Sequence, residues 1–243
     1  MLVDHNVFAS QLVPMDSFDA EPIKIDLVYA NKNHPENIFK APLYHEAARL
    51  SLHKDLAKIV IGAARTLYKD HQYILLLKDG LRTVDAENAA IKTQAYQNNP
   101  QWSNGPDVLL SKPGTGAHPR GMAIDVSLET INGEAVNMGT AFDELTDQSA
   151  RDFKDFDDQI LTNRTILERA FVQQAEKLSL PLLPLPAEWW DFRFPRSYYE
   201  QWKPLYDEDV PAPLRMIAPQ QEYHGNDWEE RFDKNVKDVL NPL

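Results

Sequence analysis

The sequence predicts an α+β fold, and three observations carry that prediction. The first is the run "MAIDVSL", where Met122, Ile124, Val126 and Leu128 alternate with Ala123, Asp125 and Ser127, the period-two signature of a strand. The second is the continuous apolar stretch "YILLLKDG" (73–80), closed by Asp-Gly as a buried central strand would be. The third is a three-to-four residue period through Leu52, Leu56, Ile59, Ala63 and Leu67, the buried stripe of a helix. Strands and helices alternate without βαβ regularity, which favours α+β over a doubly wound α/β sheet.

In chain order, residues 1–23 read as an irregular lead-in. "IKIDLVYA", around residues 24–31, predicts a strand, and "NKNHPEN" the loop after it. A helix is expected from Leu43 to about Lys69, then the central strand, then a second helix across Val84 to Gln97. Residues 98–116 are rich in Pro, Gly, Ser and Asn and predict a long loop, a feature that in compact domains usually serves function. A helix from about Phe156 to Leu178 turns Ile160, Leu167, Ala170, Phe171 and Leu178 inward. Prolines stop it in "LPLLPLPAEWWDFRF" (180–194), which continues as an aromatic strand. "DWEERFDKNVKDVL" predicts a helix within a C-terminal extension of residues 201–243.

Composition narrows the function classes. With 43% hydrophobic residues, five Trp, nine Tyr and ten Phe, the 243-residue chain can bury a proper core. A formal charge of −12 opposes the phosphate attraction on which nucleic-acid binders depend, and argues against anionic membranes. No apolar run reaches the ~20 residues that span a bilayer. The N-terminus carries no Lys or Arg before Lys24 and no continuous apolar core, so the expected compartment is the cytoplasm, or the periplasm for a chain that has lost a leader. With no cysteine, disulfides, thiolate metal sites and a cysteine nucleophile are excluded. Any metal must be held by His, Asp and Glu.

Two stretches offer such ligands. In "GAHPRGMAIDVSL" (116–128), glycines and a proline place His118 in a turn, and Asp125 sits at an inner position of the strand that follows. A buried carboxylate has to be paired, hydrogen-bonded or metal-bound. In "EWWDF", Glu188 and Asp191 flank Trp189 and Trp190, which as isolated residues read as core or pocket wall. Three nitrogen or oxygen ligands plus a spare carboxylate match a catalytic zinc centre, which keeps one position open for water and a general base nearby.

These motifs resemble the zinc D-alanyl-D-alanine dipeptidases, the VanX-type branch of the D,D-peptidase superfamily that includes hedgehog domains. The family signature Ser-x-His-x-x-Gly-x-Ala-x-Asp is matched by Gly116, His118, Gly121, Ala123 and Asp125 at every position except the first. Against its Glu-x-Trp-His signature the chain has Glu188-Trp189-Trp190-Asp191, which matches at the Glu and the Trp. "KDGLRTVDA" (78–86) resembles its Asp-Gly-Tyr-Arg-Pro segment, "NMGTAFDE" (137–144) its Met-Gly-Thr-x-Phe-Asp stretch, and "NRTILERAF" its Asn-Arg helix. The resemblance covers roughly residues 24–200. It implies a single catalytic domain with a central mixed or antiparallel sheet flanked by helices. It further implies one divalent metal on His118 and Asp125 (zinc, with manganese or cobalt as alternatives), Glu188 as general base and Arg82 as oxyanion stabiliser. The implied substrate is a small D-amino dipeptide such as D-Ala-D-Ala, with Trp189, Trp190 and Gly116 beside its pocket.

Two positions depart from the pattern. Gly116 replaces a serine, removing a hydroxyl but no ligand. Asp191 replaces the third ligand, a histidine, and three readings follow: Asp191 binds the metal, the site is a weak or inactive binding module, or His224 of the tail fills the gap. A peptidoglycan D,D-carboxypeptidase is a further alternative, one that needs an open cleft and export. Without the resemblance, Arg82 would read as a surface ion pair with Asp79 or Asp85. Glu188 and Asp191 are three apart, so a flat strand would send them to opposite faces; both reach one site only where the chain bends near Trp189.

Overall fold

In a computed structural model, residues 9–102, 111–217 and 227–241 are described. The strands and helices are β1 (Leu12–Pro14), β2 (Ile23–Ile25), β3 (Ser51–His53), α1 (Lys54–His71), β4 (Tyr73–Asp79), α2 (Val84–Ala90) and α3 (Gln94–Asn98). They continue with β5 (Ala123–Thr130), α4 (Asp158–Leu178), β6 (Leu183–Pro184), β7 (Asp191–Arg193), α5 (Arg196–Tyr199) and α6 (Asp227–Leu240). A five-stranded sheet runs β2-β4-β5-β7-β6, with β2 and β4 parallel and every other pair antiparallel. β1 and β3 form a separate antiparallel pair. The fold is α+β with a mixed central sheet, as the sequence predicts.

The apolar run in β4 and the alternation in β5 place both strands at the centre, joined from Tyr73↔Thr130 to Leu77↔Val126. α1 lays Leu56, Ile59, Ala63 and Leu67 into the core and packs against α4, α6 and β4. Phe171 of α4 stacks on Phe192 of β7 with ring centroids 4.0 Å apart, fixing the helix over the strand that carries Asp191.

Several boundaries differ from the sequence reading. The first long helix begins at Lys54, because residues 51–53 pair with β1 instead of continuing a helix back to Leu43. The lead-in is partly ordered structure: Leu12, Val13 and Met15 are fully buried. "IKIDLVYA" is a three-residue strand followed by a 3-10 turn at Val28–Ala30. The Val84–Gln97 helix is broken into α2 and α3. The C-terminal extension is tied into the body: Val239 is buried, and Asn235 Nδ2 donates to the carbonyls of Ser10 and Leu12 at 2.8 and 3.3 Å. No described helix is long and apolar enough to cross a membrane.

Candidate metal centre

The site forms where the sheet aligns three carboxylates. Asp79 of β4 lies opposite Asp125 of β5, and Asp125 opposite Asp191 of β7. Directly opposed residues of antiparallel strands project to one face, and like charges there repel. All three are buried. Such a row persists only where cations meet it, and three do: Arg82, His118 and Arg193.

His118 is delivered by a 3-10 turn, His118–Arg120, that ends on Gly121 at φ 60°. A Cβ on Gly121 would lie 3.0 Å from Leu12 Cδ2 and 3.2 Å from the His53 nitrogen, so the turn requires glycine twice over. Gly116 stands at φ 80°, where a Cβ would make ordinary contact with Ser111 at 3.5 Å, so the departure from serine suits a left-handed backbone. The His118 ring is oriented by Nδ1, 2.9 Å from the Gly80 carbonyl oxygen, which leaves Nε2 facing the carboxylates. Nε2 is 3.3 Å from Asp191 Oδ2 and 3.6 Å from Asp125 Oδ2. Burial opposes charge on the ring, but Asp125 and Asp191 together carry its pKa up to about 10, which marks Nε2 as a place that favours positive charge.

Asp125 is pushed up to about 6 by burial, against the pull of His118. Its Oδ1 is buried and accepts no hydrogen bond among the described residues. Burial would also raise Asp191, but Arg193 and then His118 outweigh it and hold the group below the usual carboxylate range. Arg193 Nε donates to Asp191 Oδ1 at 2.7 Å and its Nη2 donates to Oδ2.

Asp79 and Arg193 are site residues to which the sequence reading gave no site role. Asp79 looked like the end of a strand in "KDG", but it holds Arg82 through Nε and Nη2 at 2.9 and 2.5 Å, and accepts Tyr44 Oη at 2.7 Å. The Arg82 ion pair is therefore real but buried, not on the surface, and Nη2 also stands 3.9 Å from Asp125 Oδ2. Asp79, His118 and Asp125 have donor atoms close enough to hold a metal. Asp79 faces Nδ1 of His118, however, at 3.8 Å, and that nitrogen is engaged by Gly80. The set around Nε2 is His118, Asp125 and Asp191. A tetrahedral zinc with bonds of ~2.0–2.2 Å has ligand–ligand edges of about 3.3–3.6 Å, and the two distances from Nε2, 3.3 Å to Asp191 and 3.6 Å to Asp125, match two of those edges.

Glu188 lies in the turn before β7, where its amide donates to the Leu185 carbonyl at 3.2 Å. The chain bends there, so Glu188 lines the cleft while Asp191, fully buried, lies behind its wall close enough to act on Glu188 despite their spacing. Burial, reinforced by Asp191, raises Glu188 well above the ordinary carboxylate range. The cleft is lined by Arg82, Gly116, His118, Asp125, Glu188 and Arg193, with Glu87 and Asp143 also on its wall. Burial brings Glu87 and Asp143 up to about 7. Trp189 and Trp190 are a correction: both are core, 2% and 0% exposed, and neither lines the cleft. Trp189 instead donates to Thr140 Oγ1 at 2.8 Å. His224 lies outside the described residues.

The profile of the D-ala-D-ala dipeptidase family, Peptidase_M15, matches residues 9–208. The chain belongs to this family. Its members are metal-dependent peptidases, usually of zinc, and the match extends through β1 at one end and past β7 at the other. No individual curated protein matches the chain.

Proposed function

We propose that this family member is a zinc-dependent dipeptidase that cleaves D-Ala-D-Ala or a related D-amino dipeptide. The observation that carries the reading is the donor set around His118 Nε2, with Asp191 and Asp125 oxygens at 3.3 and 3.6 Å and a second, unsatisfied Asp125 oxygen beside them. His118, Asp125 and Asp191 would hold the ion. The chemistry it supplies when bound is polarisation of the scissile carbonyl and acidification of a water.

The chain's own groups supply the rest. Glu188 accepts a proton from the attacking water and returns it to the leaving amine, a transfer suited to a carboxylate whose basicity is raised by burial. Arg82 presents a permanent charge to the oxyanion that develops on the carbonyl, and Asp79 fixes the guanidinium in place. Asp143 offers a carboxylate on the same wall for the ammonium of a free dipeptide. Replacing Glu188 with Gln tests the assignment. Turnover should fall by ~10²–10⁴, the usual contribution of a positioned general base, while zinc content stays at the parent level. Loss of zinc in that variant would make Glu188 a ligand and overturn its role.

A further inference from the structure

At the position where the family signature has a ligand histidine, this chain has a carboxylate, and two residues on it has an arginine. On β7, Asp191 and Arg193 are separated by one residue, so they share a face of the strand. Arg193 lies opposite Ala123, whose small side chain leaves the guanidinium room to fold back along the strand. It grips both oxygens of Asp191, Nε on Oδ1 at 2.7 Å and Nη2 on Oδ2. The same Oδ2 faces His118 Nε2. The backbone is pinned as well, because Arg151 Nη2 donates to the Asp191 carbonyl at 2.7 Å.

We infer that Asp191 and Arg193 act as one unit in place of the missing histidine: the carboxylate supplies the ligand atom, and the guanidinium orients it and cancels its charge. This rests on the metal centre proposed above. A neutral imidazole brings a ligand atom, a fixed orientation and no charge. A bare carboxylate brings the atom but can rotate, and it adds a negative charge to a ligand set that already holds Asp125. The fork of Arg193 removes both differences. A His-Asp-Asp set with Arg193 carries the same net charge as a His-Asp-His set, so the metal's Lewis acidity is preserved instead of being quenched by a second carboxylate.

The two positions are therefore coupled, and restoring the histidine alone should harm the site. Asp191→His would leave Arg193 without its hydrogen-bonded partner, a largely buried cation next to a dication. Zinc dissociation constants of the full-length protein, measured by competition with a chromophoric chelator, read this directly and without activity. Asp191→His should bind zinc at least tenfold more weakly than the parent. Adding Arg193→Gln to it should recover at least tenfold, whereas Arg193→Gln alone should bind zinc more weakly than the parent. Arg193→Lys, which keeps the charge but loses the fork, should fall between the parent and Arg193→Gln. Thermal unfolding of each apo protein shows that the variants compared are folded. If Asp191→His does not fold, the Arg193→Gln and Arg193→Lys order decides.

Additive effects, with Asp191→His binding zinc as well as the double variant, would overturn the inference while leaving a zinc-loaded, active parent as proposed. A parent that takes up no zinc, beside a double variant that does, would overturn both, since Arg193 would then be a plug. Failure of every variant to bind zinc would remove position 191 from any metal site and end both proposals. Arg193→Gln alone binding tenfold more tightly than the parent would also refute the unit, because the arginine would then only oppose the ion.

Discussion

Replacing Arg82 with alanine removes two things at once, and the structure lets them be separated. Its guanidinium makes two hydrogen bonds to Asp79, which is fully buried, and lies 5.4 Å over the Tyr29 ring. Deleting one partner of a buried pair costs about 3–5 kcal/mol, because the other charge is left uncompensated. For a chain of this size each kcal/mol moves the melting temperature by roughly 2–4 °C, so a fall on the order of 6–20 °C is expected. If Arg82 also meets the developing oxyanion, turnover should drop by ~10²–10³ at a temperature where the variant remains folded. The double variant Arg82→Ala with Asp79→Asn removes the stranded charge as well. It should regain about half or more of the lost stability, because removing both partners of a buried pair costs far less than removing one. Its turnover should stay low. Scanning calorimetry gives the stabilities and steady-state dipeptide hydrolysis gives the rates. A folded Arg82→Ala protein whose kcat stays within threefold of the parent would refute the oxyanion role and leave Arg82 a structural partner of Asp79.

The pH dependence of stability should report His53, which is 2% exposed at the N-terminus of α1. Burial holds its pKa down at about 4, with Asp55 opposing and Lys54 and Lys58 assisting. The unfolded chain therefore binds the proton first, so stability is complete above pH ~6.5 and falls as pH drops toward about 4, by roughly 3 kcal/mol at the limit. His53→Asn keeps a side-chain acceptor for the Asp55 amide and should flatten that slope; urea titrations across the window measure it, and an unchanged slope would place the protonation elsewhere. Gly121→Ala should destabilise the chain by at least ~1–2 kcal/mol through its left-handed backbone and the contacts with Leu12 and His53. It should also weaken zinc binding by shifting His118, and a variant with parental stability and zinc affinity would contradict the role given to the turn.

The sheet centre was legible because β4 and β5 carry their signal in the residues themselves, an unbroken apolar run and a clean alternation. α4 was legible for the same reason, its inward positions falling on one stripe. The start of α1 was misread because Leu52 lies four residues before Leu56 and so mimics helical spacing while belonging to β3. Pairing with β1, which lies some forty residues earlier in the chain, decides that segment, and a local pattern does not record it. In the site, His118 and Asp125 could be found because turn residues and an inner strand position mark them. Asp79 could not, since its importance comes from the register that sets it opposite Asp125. Arg193 left one faint trace, a charge two residues from Asp191 in an otherwise aromatic strand, and only the same-face rule for strands would have paired them.

The central claim is that this chain uses a metal held at His118, Asp125 and Asp191 to hydrolyse a D-amino dipeptide. The most direct test strips the full-length protein with chelator, restores zinc in steps, and follows bound zinc and D-Ala-D-Ala hydrolysis in the same samples, with L-Ala-L-Ala as control. Hydrolysis should rise in proportion to zinc, level off at a single ion per chain, and be far slower on the L,L dipeptide. A fully loaded protein that leaves D-Ala-D-Ala intact, or hydrolysis that continues undiminished after the metal is stripped, would contradict that claim.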